Sequence, residues 1–99
     1  MGFSMKSAQF LVESRIADAA NGDVEAYFDL GMAYSCGSGL DVDMIAAHKW
    51  FNLAAINGDS RGQALRAEIA EEMTAREIAE AQRQARAWLV ANTPMRQAA

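Results

Sequence analysis

The tripeptide Asn-Gly-Asp occurs twice, at 21–23 and 57–59, and the two copies lie 36 residues apart. In each copy the Asn or Gly can close one helix in a left-handed conformation, and the Asp can cap the next. In this register Ala19 falls on Ala55, Gly22 on Gly58, Asp23 on Asp59 and Ala26 on Gly62. A helix-turn-helix period of this size is what a stacked solenoid shows. The intervening residues are mostly Ala, Leu, Met, Gln, Glu and Arg, which favour helix. No segment alternates as a half-buried strand would, and the one proline, Pro94, stands near the end. These features predict an all-α fold, a short α-solenoid of antiparallel helix pairs. The expected helices span 4–20, 23–36, 43–57, 60–72 and 74–91, with 92–99 a frayed tail. Ser60 with Gln63, and Thr74 with Glu77, fit capping boxes. Gly37-Ser38-Gly39 reads as a turn, and Asp41 and Asp43 suit the positive start of the helix that follows.

Apolar spacing supports the same reading. Ala26, Leu30 and Ala33/Tyr34 share a face, as do Ala47, Trp50, Phe51, Ala54 and Ala55. Ile78, Ala81, Ala85, Trp88 and Leu89 repeat the pattern in the last helix. Ninety-nine residues suffice for one domain, here 1–91. A hydrophobic share of 52% against 22% charged excludes a wholly disordered chain. The net charge of −4 argues against nucleic acid as a partner. The first twenty residues lack the basic start and long apolar run of a secretory signal. No run is long enough to span a membrane. The expected setting is the cytoplasm, with Cys36 reduced.

Chemistry-bearing residues are few. A single Cys and a single His give neither a disulfide framework nor a Cys-His zinc set. His48 has no neighbouring nucleophile or second ligand and is expected to be a solvated or interfacial helix residue. Cys36 follows a helix end, where the dipole disfavours a thiolate, and reads as a plain small residue at a turn. The pairs Glu71/Glu72 and Glu77/Glu80, with Arg76, Arg83 and Arg86 interleaved, read as a solvated helix face. No catalytic residue, cofactor or metal is expected, and the chain does not read as an enzyme.

The run from Gly22 to Asp59 resembles one complete Sel1-like repeat. The residues that carry the resemblance are Ala26, Leu30, Gly31, Tyr34, Gly37, Gly39, Asp43, Ala47, Trp50, Phe51, Ala54, Ala55 and Gly58. Leu40 stands where that family usually has Val. The full pattern covers about 19–62, with helical flanks at 4–18 and 63–91. Ser14 and Arg15 replace the Trp-Phe pair in the first flank. The last segment is similar to the closing stretch found after such repeats. The resemblance implies tetratricopeptide-like helix pairs stacked in a right-handed superhelix, acting as an adaptor or scaffold for other proteins.

If so, the first helix of each pair lines a concave face. That places Glu25, Phe28, Met32, Ser35 and Cys36 on it, with Arg61, Ala64, Glu68, Glu71 and Glu72 as their equivalents one repeat later. An aromatic and a Met beside acidic groups suit a protein or peptide with basic and apolar side chains. A core role for Phe28 is the competing reading. Charge is uneven: residues 1–59 hold eight acids and three bases, and residues 60–99 six arginines and five glutamates. A basic partner could be steered by this asymmetry. The alternative is a structural subunit that self-associates into a homo-oligomer through uncapped solenoid ends.

Overall fold

The structure, a computed structural model, describes residues 5–37 and 40–92. Side-chain placements are described from Ala8 onward. Gly39, the first residue of the expected 4–20 helix and the tail from 93 lie outside the described residues.

Five helices follow one another: α1 (Met5–Ala20), α2 (Val24–Cys36), α3 (Met44–Ile56), α4 (Ser60–Ala70) and α5 (Ala75–Asn92). The described residues contain no strand, so the fold is all-α. The repeated tripeptides work as their chemistry dictates. Gly22 and Gly58 carry φ of 97° and 91°, values that only glycine adopts cheaply. Asp23 then accepts from the Glu25 N–H at 3.1 Å, and Asp59 from the Arg61 N–H at 2.9 Å. Asp43 caps α3 by accepting from the Ala46 N–H at 3.0 Å. Thr74 and Glu77 close a reciprocal box at 3.1 and 2.8 Å.

Three local expectations need correction. The Ser60–Gln63 capping box does not form: of the two caps the sequence offered, Asp59 holds α4, and Ser60 is the first helical residue. The aspartate sits one residue earlier with extended backbone and reaches the first free N–H groups. Helix α4 stops at Ala70, so Glu72 lies in the turn that follows. Two consecutive glutamates at a helix C-terminus oppose the dipole, and the Thr74 box restarts the helix. Asn92 is the last residue of α5, not part of a tail. Its side chain donates to the Trp88 carbonyl at 3.0 Å.

Helix α3 is the centre of the molecule. It packs against α2, α4 and α5, while α1 packs on α2. Six of its thirteen residues are buried: Ala47, His48, Trp50, Phe51, Leu53 and Ala54. Being covered on three sides, it buries more than the one stripe that its spacing suggested. His48 is therefore 3% exposed, interfacial rather than solvated of the two settings the sequence left open, and its Nδ1 has no hydrogen-bond partner. Two glycines make the close crossings possible. A Cβ on Gly31 would run into the Phe51 ring, and one on Gly62 would meet the Ala54 Cβ at 2.8 Å.

Helix α5 departs from simple pairing of neighbours. It lies on α3 and makes almost no contact with α4, from which a short turn separates it. An aromatic cluster explains this. The Trp88 ring meets Trp50 edge-on with centroids 4.9 Å apart, and Tyr27 stacks on Trp50 at 6.0 Å. Trp88 also donates its indole N–H to the Tyr27 hydroxyl at 3.2 Å. A buried indole needs such a partner, and α2 supplies it. The Lys49 ammonium lies 4.4 Å from the Trp50 centroid and 5.7 Å from that of Trp88, and burial lowers its pKa.

Candidate functional site

The surface expected from sequence runs along α2 and onto α4. Glu25 stands at the start of α2 and Arg61 at the start of α4, 36 residues on. The structure brings them together: the Arg61 guanidinium donates to Glu25 Oε1 at 2.9 Å. It also donates to both Asp59 oxygens, at 3.0 and 2.8 Å. The same group sits 4.0 Å from the Phe28 ring centroid. Arg61 thus covers the aromatic, and both its carboxylate partners hold it charged.

Phe28 is half-buried, with its other side toward the core. Its ring centroid lies 5.9 Å from that of Phe51. The residue is thus packed on one side against Phe51 and covered on the other by the Arg61 guanidinium. One turn further along α2, Met32 is 37% exposed. The Ser35 hydroxyl donates back to the Met32 carbonyl at 3.3 Å, and Cys36 is exposed at the helix end. On α4, Ala64 and Glu68 are exposed; Glu71 and Glu72 are exposed in the turn beyond it. Arg61 therefore joins the starts of α2 and α4 over Phe28; Met32 stands farther along α2, and exposed carboxylates lie on and after α4.

The residues of the repeat pattern divide by depth. Ala26, Leu30, Ala47, Phe51 and Ala54 are fully buried, and Trp50 is 2% exposed. Gly31 is buried, Tyr34, Gly37 and Ala55 are half-buried, and Asp43 and Gly58 are exposed. Sequence reading missed Tyr27 and Leu53, both core. Tyr27 precedes the Phe28 that drew attention. Its signal was its spacing of three from Leu30, a core pairing on a helix.

Few groups have the environment of a reactive centre. His48 is buried and its pKa is lowered, first by burial and then by the Arg66 charge. Among the described residues no group of three or more His, Cys, Asp or Glu is placed to hold a metal ion. No described helix is long and apolar enough to cross a membrane. On α5 the Glu80 carboxylate accepts from both Arg83 and Gln84, and Arg83 draws the Glu80 carboxyl down to about 2. Comparison with protein-family models, curated proteins and solved structures finds no match.

Proposed function

We propose that this chain is a non-catalytic protein-interaction module of the Sel1-like, tetratricopeptide-like kind, an adaptor or scaffold that takes a partner across α2 and α4. The observation that carries this reading is the Arg61 bridge. It ties the starts of α2 and α4 together through Glu25 and Phe28, as a surface shared by the two helices would require. Met32 and Glu68, also 36 residues apart, are both exposed and complete the proposed surface. The cytoplasm is its proposed setting, and a protein or peptide segment its proposed partner.

The test is capture of partners from native extract by wild type and by Met32→Glu/Glu68→Lys. Both positions are exposed, so the change leaves the core intact, which Phe28→Ala would not. Loss of a specific partner in the variant is the expected result. A partner set identical for both proteins sinks this surface.

A second reading draws on the terminal helices. Phe10 is 70% exposed on α1 and Val90 81% exposed on α5. Such positions suit contacts between copies at uncapped ends. Sedimentation of wild type and Phe10→Asp/Val90→Asp separates the readings. A concentration-dependent dimer lost in this variant supports self-association.

A further inference from the structure

A large concavity lies away from the proposed α2–α4 surface. It lies where α1 passes the segment leading into α3, near the start of α5. Its volume is about 790 Å³, within the roughly 300–1,000 Å³ of ligand-binding clefts. Val12 and Ile16 of α1 form one wall; Tyr34, Leu40 and Ile45 form the other. A second cavity of about 310 Å³ adjoins it behind Val12 and Leu40, which line both. Leu11, Leu30 and Ala33 line that second space, with Arg15 and Asp29, an ion pair at 3.6 Å, also lining it.

The rim is acidic. Glu13 from α1, Asp41 and Asp43 from the segment before α3, and Glu77 from α5 all line the larger cavity, and no described Lys or Arg does. Two of the four have structural duties: Asp43 caps α3 and Glu77 completes the box that starts α5. Those duties fix where their charges stand. Glu13 and Asp41 are exposed and form no ion pair with a described residue. The carboxylates come from three separate elements and are not gathered tightly enough to hold a metal ion. They match several cations spread along one ligand.

We propose that this groove docks a peptide segment of a partner protein bearing Lys or Arg on either side of an apolar anchor. The anchor lodges against Val12 and Leu40, and the cationic flanks meet Glu13 and Asp41. Charge complementarity selects this occupant. Nucleic acid and anionic lipid would be repelled by the same rim. A second copy carries the same net charge of −4. The proposal shares with the adaptor reading only that the chain binds protein segments; it does not use the α2–α4 face.

The test is a selection of random-sequence peptides displayed on phage against the full chain, followed by fluorescence anisotropy with the best binder. The expected binders combine Lys or Arg with Leu, Ile, Phe or Met. Their affinity should fall with added salt, because the rim charges are exposed. Glu13→Lys/Asp41→Lys should weaken binding about tenfold or more and remove most of the salt dependence. Met32→Glu/Glu68→Lys should bind as wild type does. Circular dichroism of both variants checks that helix content is unchanged. The proposal is overturned by acidic or neutral consensus peptides, by no enrichment, or by equal affinity for the Glu13/Asp41 variant. Loss in the Met32/Glu68 variant alone would overturn it too, while supporting the α2–α4 face. Dimerisation abolished by Glu13→Lys/Asp41→Lys would overturn it in favour of a second copy.

Discussion

Gly31 shows how much one residue controls here. It lies inside α2, where alanine would ordinarily stabilise by about 1 kcal/mol. Its hydrogen faces the Phe51 ring, which is fully buried and cannot swing away. Overpacking of a core costs about 1–3 kcal/mol, and here the clash is with an aromatic ring. Gly31→Ala should therefore lower stability by about 2 kcal/mol, read as a smaller urea midpoint at unchanged slope. His48 makes the second argument at this scale. Burial and Arg66 lower its pKa in the folded state, whereas the unfolded chain returns it to about 6.5. As pH falls through that value, the unfolded chain binds the proton more readily. Stability is therefore complete above pH 6.5 and declines below it. The thermal midpoint should drop between pH 7 and 5.5, and His48→Gln should flatten the drop. Asp29 has its carboxyl raised, chiefly by burial, and acts with the opposite sign. His48→Gln separates the two, because it removes the His48 contribution and leaves that of Asp29. Sequence alone left His48 either solvated or interfacial because nothing around it in the chain reports that α3 is covered on three sides.

At the scale of the helix, local chemistry was the most legible part. Helix starts could be read from Asp23, Asp43 and the Thr74–Glu77 pair, because capping is decided within a few residues. Asp43 matters most, since it begins the helix on which three others pack. Asp43→Ala should cost about 1 kcal/mol and be seen in chemical denaturation as a stability loss without a change of fold. Ser60→Ala should cost much less, because Asp59 already holds that cap. The pairing of helices was less legible. Short turns suggested that each helix would lie against the next, yet α5 bypasses α4 for α3. The stripe Ala81, Ala85 and Trp88 announces a buried face but does not name its neighbour. The choice belongs to Trp88, which meets both Trp50 and the Tyr27 hydroxyl, a three-helix contact that no single-helix periodicity contains.

For the whole molecule, the two candidate surfaces differ in how they arise. Glu25 and Arg61 could be placed together from the 36-residue spacing, because equivalent positions on stacked helices are brought near each other; the packing of Phe28 under Arg61 was not legible. The acidic groove could not, since its walls come from α1, an irregular segment and the start of α5. The same architecture sets where the fold is firm. Helix α3 has helices on three sides, whereas α4 buries only Gly62 fully and rests chiefly on α3. Local opening of an element follows from how few apolar contacts hold it. Native-state hydrogen exchange should therefore find the amides of Phe51 to Ala54 opening only with global unfolding. Those of Leu65 to Ile69 should exchange at a lower free energy and with less dependence on denaturant. Equal protection in the two helices would mean that α4 is held by more than its seam with α3. The hinge for any α4 motion would lie at Gly58, whose positive φ marks the turn between the two helices. A mobile α4 would leave the groove at α1 intact, because no α4 residue lines it. Destabilising α4 with Leu65→Ala should accordingly loosen the α2–α4 face and leave peptide binding at the acidic groove unchanged.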